Sequence, residues 1–363
     1  MMEQLAKEPA RQPFKGRGAA MNPKARFDRL GLEPFDDGWE SLSLALEEKG
    51  RPATEVSPDR SRSVIARNQS PDIPFEQSIN PYRGCEHGCI YCYARPSHAF
   101  LGLSPGLDFE TKLWAKYDAA EILVRELARP AYRCSPIALG ANTDPYQPIE
   151  RKLEITRKIV DVLARHDHPL TIVTKSAAVL RDLDLLAPMA EKGLVSVAVS
   201  ITTLDPALAR KMEPRAAAPH RRLDAIRELA AANIPTVVMA APIIPGLTDH
   251  ETEAILAAAA ERGAWWATYT LLRMPHEIKE LFRNWLLHHE PLRADRVISL
   301  HRQCRGGRLN DLRFGHRMRG EGAYAELIGR RFQLARRRLG LERKIGELRS
   351  DLFKRPGDQL RLL

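Results

Sequence analysis

The sequence is poor in cysteine, with only five in 363 residues, and three of the five lie close together between positions 85 and 92. So few cysteines, so unevenly placed, do not make a disulfide framework. The chain also lacks a secretory hydrophobic region and any apolar run long enough to cross a bilayer, and Glu3 and Glu8 argue against an organelle transit peptide. We therefore expect a cytoplasmic protein with no membrane contact, in which thiols stay reduced.

The three clustered cysteines lie within Asn80–Tyr93 and follow the spacing C-x3-C-x2-C. Gly84 and Gly88 allow the backbone of this stretch to fold tightly. Three thiolates from one short loop, Cys85, Cys89 and Cys92, can bind three irons of a [4Fe-4S] cluster. The fourth iron then has no protein ligand and is open to a small molecule.

Two alternative metal sites could be built from the same three thiolates. A structural zinc site would add His87 or His98 as its fourth ligand. A closed electron-transfer cluster would need Cys134 or Cys304, both of which are far away in the sequence.

The cysteine loop resembles the cluster motif of the radical S-adenosylmethionine (SAM) superfamily. The residues Ser78–Cys85 before it and Ala94–Pro96 after it look like the branch often labelled DNA-repair-photolyase-like, which is similar to spore photoproduct lyase. The resemblance runs from about Arg17 to Leu341. It implies a [4Fe-4S] cluster, SAM as cofactor, and an external one-electron donor such as flavodoxin or ferredoxin.

Short apolar runs alternate with amphipathic segments after the cysteine loop, which predicts βα units and a parallel sheet covered on both faces. The predicted strands are Ile137–Gly140, Leu170–Thr174, Val195–Ile201, Thr236–Ala241 and Trp266–Leu272; the predicted helices are Arg151–Arg165, Ala177–Lys192, Pro219–Asn233 and His250–Arg262. Two further strands are expected at Val64–Arg67 and Phe109–Trp114. With a strand at the cluster, these units resemble the open partial (β/α)6 barrel of radical SAM enzymes, an α/β fold.

Composition divides the chain into three parts. Residues 1–70 are rich in Pro, Gly, Ser and charge and are expected to be an extended or partly disordered arm, with Trp39–Leu46 lying along the barrel. Residues 71–289 are the predicted barrel, and residues 290–363 a basic helical extension.

Polar residues follow the predicted strands, where βα barrels carry their chemistry. The resemblance implies that Tyr91 lies near the adenine of SAM, that Lys175 contacts its carboxylate, and that Ser200 lies near the same ligand. It leaves Asp144 or Asn142 to serve the ammonium group or the ribose. Each residue also has a plain structural alternative: rim packing for Tyr91, an ion pair for Lys175, and a turn or helix cap for Asp144.

Photoproduct lyases place a hydrogen-donating cysteine at the end of the strand that here reads Ala138–Asp144, and this chain has no cysteine there. Cys134 precedes the strand, at the end opposite the expected active site. Thymine-dimer repair is therefore not implied, whereas cluster and SAM binding are. The expected function is an enzyme that cleaves SAM to a 5′-deoxyadenosyl radical, which takes hydrogen from an unknown substrate. A nucleic-acid-acting version and a non-catalytic iron–sulfur or zinc protein are the alternatives.

The excess positive charge is confined to the C-terminal part. Of 56 basic and 46 acidic residues, 19 and 9 fall from Glu290 onward, which leaves 37 of each sign before it. A helix near Glu321–Gly340 is expected to pack on the barrel through Tyr324, Leu327, Ile328, Leu334 and Leu339 and to present Arg330, Arg331, Arg336, Arg337 and Arg338. Nucleic acid is a candidate partner of this basic face, and simple solvation is the alternative. Arg215, Arg221 and Arg222 are candidate ligands for anions of SAM or substrate, or else surface charges.

Overall fold

The fold is built on a seven-stranded sheet. The computed structural model describes residues 14–27, 52–343 and 345–357, so the predicted surface segment Trp39–Leu46 lies outside the described residues. The strands of these residues are β1 Glu55–Pro58, β2 Ile65–Arg67, β3 Gln77–Ile79, β4 Tyr82–Arg83, β5 Lys112–Ala115, β6 Ile137–Leu139, β7 Leu170–Thr174, β8 Val195–Ser200, β9 Thr236–Ile243 and β10 Trp266–Leu271.

The large sheet has the order β10-β9-β8-β7-β6-β3-β2. The strands from β3 to β10 pair in parallel, and β2 joins β3 antiparallel at the edge. Among the described residues, β2 and β10 are the two edge strands and do not pair with each other, so the sheet is an open barrel with six parallel strands. The predicted partial (β/α)6 barrel is therefore confirmed. A small sheet, β1-β5-β4, stands beside it and leads into the cysteine loop.

Helices connect the strands in the order that the apolar periodicity predicts. They are α1 Asp108–Thr111, α2 Ala119–Leu127, α3 Glu150–Leu153, α4 Ile155–Arg165, α5 Leu183–Glu191, α6 Pro206–Met212, α7 Pro219–Ala231, α8 Thr252–Ala260, α9 Ile278–His289, α10 Ala294–Gln303, α11 His316–Arg319 and α12 Ala323–Arg338, with 3-10 turns at Arg95–Leu101, Ala177–Asp182 and Asp249–Glu251. None of these helices combines the length and the apolar character needed to span a bilayer.

The core forms between the sheet and its helices. Val195, Val197 and Val199 of β8 are fully buried, as are Ile159 and Leu163 of α4. Complete burial of one such side chain contributes about 1.5–3 kcal/mol. Since β8 lies inside the sheet, between β9 and β7, this core fixes the positions of the polar side chains at the strand ends.

Three details differ from the sequence predictions. The expected strand Phe109–Trp114 is wrong in its first half, because Phe109 and its neighbours form the single turn α1 before β5 begins at Lys112. The predicted helix Arg151–Arg165 is divided at Glu154, whose φ is +51°. Ala177–Lys192 begins as a 3-10 turn, in which the Ser176 hydroxyl accepts a hydrogen bond from the Ala178 amide at 3.2 Å.

The packing face of α12 also differs from the prediction. Leu327 and Leu334 are 48% and 67% exposed, so they do not pack on the barrel. The buried face is formed by Ala325, Ile328, Phe332 and Ala335, whose spacing of three, four and three residues gives one helical stripe. Of the five residues predicted to pack, Ile328 is buried and Tyr324 and Leu339 are partly buried against the core, so the prediction is wrong only for Leu327 and Leu334.

The segment expected to be an extended arm contributes edge structure in its described residues. β1 pairs in parallel with β5, and β2 pairs with β3, the strand before the cysteine loop. Upstream, Arg17, Ala19 and Ala25 are buried, and Ala19 lies in one apolar cluster with Cys89 and Ile90 of the cysteine loop.

Candidate cofactor site

The cysteine loop leaves the carboxyl end of β3 and passes through β4 before it turns across the mouth of the barrel. Gly84 and Gly88 have φ values of +79° and +67°. A Cβ at Gly84 would lie 2.9 Å from the Phe109 carbonyl oxygen, and one at Gly88 would lie 2.7 Å from the Glu110 carboxylate. Glycine is thus required at both positions by backbone angle and by space.

The three cysteines of the loop lie in the protein interior, close enough for their charges to affect one another. Cys85 and Cys89 are buried and Cys92 is partly buried. Burial raises the pKa of each thiol, and for Cys85 the nearby Asp144, Cys89 and Cys92 raise the pKa further. Three sulfurs that influence one another at a buried strand end fit a cluster that binds thiolates, and loading it would release their protons.

Each histidine of the zinc alternative has one ring nitrogen engaged by a protein oxygen, and Nδ1 of His98 is buried without a partner among the described residues. The Nδ1 of His87 lies 3.3 Å from the Asp144 carboxylate, and Nε2 of His98 lies 2.9 Å from the Lys112 carbonyl oxygen. Within the described ranges, no group of three or more His, Cys, Asp or Glu side chains, Cys85, Cys89 and Cys92 included, is arranged to hold a single metal ion.

A buried ion pair supports the loop from behind. The Arg95 side chain is completely buried, donates to the carbonyl oxygens of Gly88 and Cys89 at 3.0 and 2.8 Å, and pairs with Glu110 at 2.5 Å. The Glu110 carboxylate also accepts hydrogen bonds from the backbone N–H groups of Gly18 and Ala19, at 2.9 and 2.8 Å. One charge pair therefore joins the cysteine loop, α1 and the upstream segment.

Asp144 ties together the ends of neighbouring strands. Its carboxylate accepts hydrogen bonds from the Lys175 backbone N–H and from the Thr174 hydroxyl, both at 2.7 Å, and from the Tyr146 N–H at 2.9 Å. Burial alone would raise the pKa of Asp144, but His87 and these donors hold it below its usual value. The turn role that the sequence left open for Asp144 is thus present in the structure.

Asn142 lies beside Asp144 in the loop after β6, with an exposed side chain. Its backbone N–H donates to the Asn80 side-chain oxygen at 2.9 Å, which joins the β6 loop to the residue after β3. The structure does not bring the Asn142 side chain into the buried group formed by the other predicted residues.

Lys175, Ser200 and Tyr91 converge at the ends of β7 and β8. The Lys175 ammonium donates to the Ser200 hydroxyl at 2.8 Å and lies 5.8 Å from the centre of the Tyr91 ring. The Ser200 hydroxyl donates to the Ala241 carbonyl oxygen at 2.8 Å. These neighbours hold a cation at the barrel mouth beside the cysteine loop, and none of them is a carboxylate.

A buried network under Tyr91 was missed at the sequence level. The Tyr91 hydroxyl donates to the Glu213 carboxylate, which also pairs with Arg222; both charged side chains are 1% exposed. The Thr202 hydroxyl donates to the same carboxylate at 2.8 Å. Burial alone would raise the pKa of Glu213, but Arg222 and Lys175 lower it to about 2.

The three arginines considered as anion ligands have different positions. Arg222 is a buried partner of Glu213 and donates to the carbonyl oxygens of Ala217 and Ser200, at 2.7 and 3.0 Å. Arg215 pairs with Glu86 at 3.0 Å, next to Cys85. Arg221 is on the surface.

The remaining two cysteines, Cys134 and Cys304, lie outside the cysteine loop. Cys134 precedes β6, at the amino end of the strand, and burial raises the pKa of its thiol to about 11. Cys304 is buried at the end of α10. It directly precedes Arg305, which donates to the Leu271 and Leu272 carbonyl oxygens at the end of β10.

Comparison with known proteins points to one family. A model described as the radical SAM superfamily matches residues 79–259. An uncharacterised protein of Mycobacterium tuberculosis is 39% identical over 233 residues, which cover 64% of this chain and 68% of that protein. An uncharacterised protein of Methanocaldococcus jannaschii is 29% identical over 173 residues, 48% of this chain and 62% of that protein.

Two solved structures share the fold. Spore photoproduct lyase complexed with dinucleoside spore photoproduct has a TM-score of 0.54 and 16% identity, over 78% of each chain. A single-residue variant of spore photoproduct lyase has a TM-score of 0.56 and 16% identity, over 79% of each chain. Identities this low establish a common architecture and leave the reaction to be argued from the site.

Proposed function

Because this chain belongs to the radical SAM superfamily, we propose that it is an enzyme that reductively cleaves SAM at a [4Fe-4S] cluster bound by Cys85, Cys89 and Cys92. The observation that carries the proposal is the placement of three cysteines, two buried and one partly buried, in one loop at the carboxyl ends of parallel strands, near the Lys175 ammonium. When bound, the cluster supplies one electron that breaks a sulfonium carbon–sulfur bond of SAM, and the resulting 5′-deoxyadenosyl radical takes hydrogen from the substrate.

The protein's own residues bind and orient the cofactors. Lys175 presents its charge to the SAM carboxylate from a fixed position, since its ammonium donates a hydrogen bond to the Ser200 hydroxyl at 2.8 Å. Tyr91 offers a ring face to the adenine of SAM, and the hydrogen bond from its hydroxyl to Glu213 orients the ring. Asp144 keeps the β7 end in place by accepting the Lys175 N–H, and an exposed Asn142 remains available to polar groups of SAM.

Release of 5′-deoxyadenosine tests the proposal. The full chain, reconstituted anaerobically with iron and sulfide, should hold about four irons by the cubane assignment. Reduced in the presence of SAM, it should release 5′-deoxyadenosine, measured by chromatography. Cys89→Ala should abolish both, whereas Cys134→Ala is the matched control and should change neither. Bound zinc without iron after iron-replete anaerobic production would contradict the proposal.

A nucleic-acid substrate is the second candidate. The exposed arginines of α12 favour it, since Arg330 and Arg337 are 75% and 71% exposed. We do not extend it to photoproduct repair through a cysteine hydrogen donor, because Ala138–Asp144 holds no cysteine. Such an enzyme would need a different hydrogen donor.

A further inference from the structure

Four described arginines place their guanidinium groups in or near the interior around the barrel mouth, and the terminal nitrogens of three of them donate to carboxylate or backbone carbonyl oxygens. Arg95 has the Glu110 carboxylate and Arg222 has the Glu213 carboxylate. Arg305 donates to the backbone carbonyl oxygens of Leu271, Leu272, His316 and Arg317, at 2.6 to 3.2 Å. The Nε of Arg305 has no partner among the described residues, but oxygen acceptors at the terminal nitrogens of all three arginines offset the cost of burying their charge.

Arg273, two residues beyond β10, is the fourth. Within the described ranges its guanidinium contacts only the Met318 sulfur, at 3.8 Å, and the Tyr93 ring, whose centre is 5.7 Å away. Its Nε is buried and has no hydrogen-bond partner among the described residues. A thioether is a weak acceptor, so this cation has no counter-anion of its own.

The surroundings of Arg273 add positive charge. Arg317 lies close enough to lower the pKa of Arg273, after the larger effect of burial, and Arg305 is a further neighbour. The nearest carboxylate, Asp72, is occupied by Arg317 at 2.6 Å. The local field therefore favours an incoming anion.

The position of Arg273 is that of a substrate-binding group. Tyr93 follows the cluster cysteine Cys92 directly, and its hydroxyl donates to the carbonyl oxygen of Ala141, just after β6. Arg273 approaches the same ring from the end of β10. The two side chains thus reach across the mouth of the open barrel, and Tyr93 is 47% exposed there.

We propose that Arg273 binds an oxyanion of the substrate, a phosphate or a carboxylate, and so holds the substrate across the barrel mouth next to Tyr93. This inference rests on the proposed function, because it assigns a substrate group to the same site. The planar guanidinium suits both anions, since it donates two parallel hydrogen bonds to paired oxygens. Lys175, directly after β7, keeps its separate assignment to the SAM carboxylate.

Anion binding to the full, cluster-loaded chain tests the assignment. With SAM present and ionic strength constant, the unfolding temperature is measured against increasing inorganic phosphate and, separately, acetate; its concentration dependence gives a dissociation constant for each. Arg273→Met should weaken binding of the preferred anion at least tenfold, as expected for the loss of a hydrogen bond to a charged group. Arg273→Lys keeps a cation, so its dissociation constant for the anion should lie between those of the intact protein and Arg273→Met.

Arg319→Met is the matched control, because Arg319 is exposed, lies over the Tyr269 ring at 4.0 Å and belongs to the same basic region. It should leave the dissociation constant unchanged. The preference for phosphate over acetate, or the reverse, identifies the substrate group. Equal constants for the intact protein and Arg273→Met, or no saturable effect of either anion, would overturn the inference.

Substrate-free release of 5′-deoxyadenosine separates the two proposals. It should be the same in the intact protein and in the control Arg319→Met, since neither proposal assigns Arg319 a role. If the intact protein releases none, the proposed function fails, and the anion constants still decide the role of Arg273.

Discussion

Replacing Arg222 by methionine should be one of the most destabilising single changes near the site. The Arg222–Glu213 pair is 1% exposed on both sides, and the Glu213 carboxylate also accepts the hydroxyls of Tyr91 and Thr202. Methionine fills much of the arginine volume but leaves the carboxylate buried without its main cation. The pair also connects the cysteine loop to the end of β8, where Arg222 donates to the Ser200 carbonyl oxygen at 3.0 Å.

The magnitude follows from the pKa of Glu213. A pKa of about 2 in place of 4.5 corresponds to about 3 kcal/mol of folding free energy at neutral pH. Removing one partner of a buried ion pair costs a similar amount, about 3–5 kcal/mol. Because the folded-state pKa is lowered, this stabilisation is present above pH 4.5 and is lost as the pH falls toward 2.

Urea unfolding of four proteins at pH 7 measures the effect: the intact chain, Arg222→Met, Glu213→Gln and the double variant. Arg222→Met should lose about 3 kcal/mol. The double variant should be more stable than Arg222→Met alone, because a neutral amide needs no cation. Arg221→Met is the matched control; this adjacent side chain is 61% exposed and should change stability by less than about 0.5 kcal/mol.

The pH dependence gives the refuting result. The stability difference between the intact chain and Arg222→Met should shrink as the pH is lowered from 7 toward 3, because the intact chain loses the contribution of Glu213 in that range. A difference below about 1 kcal/mol at pH 7, or a double variant as unstable as Arg222→Met, would show that this pair does not stabilise the fold.

Two further predictions concern cofactor and partner. Lys175→Met should weaken SAM binding by about 1.5–3 kcal/mol and leave the iron content unchanged. The control Lys158→Met, at an exposed position, should leave both the SAM affinity and the iron content unchanged. Unchanged SAM affinity in Lys175→Met would make Lys175 a structural residue. Replacing the exposed Arg330, Arg337 and Arg338 by Gln should flatten the salt dependence of DNA or RNA retardation, whose slope should decrease by about 0.9 for each duplex phosphate that is no longer bound. Arg331 is left in place because it pairs with Glu253 at 2.6 Å, and no retardation of the intact protein at low salt would reassign this face to solvent.

The barrel could be predicted because its signals are local. The strands β7, β8, β9 and β10 are continuous apolar runs bounded by polar residues, and amphipathic helices separate them. The parallel pairing then follows from the right-handed crossover that such units make. The short turn α1 could not be predicted, because Phe109 is placed by contacts with the cysteine loop: its carbonyl oxygen accepts the Cys85 N–H at 2.9 Å.

The site was predictable only at its strand ends. Lys175 and Ser200 follow or end apolar strands, so their convergence can be expected from the fold alone. Glu213 carries no such signal, since it lies in a connection after α6, with Pro214 next to it. Its role depends on Arg222, which reaches it from the first turns of α7 and is indistinguishable in sequence from the surface residue Arg221.

The upstream segment shows why composition misleads about importance. A stretch rich in glycine, arginine and proline reads as an extended arm, yet two successive N–H groups, of Gly18 and Ala19, bind the carboxylate that holds Arg95 under the cysteine loop. Gly18 has no room for a side chain, since a Cβ would lie 1.9 Å from the Gly88 carbonyl oxygen. The close contact is between two backbones, one of which carries the cluster ligands. Extended segments of this kind gain their order from a buried partner and not from their own periodicity, so the cysteine loop depends for its shape on residues some seventy positions before it.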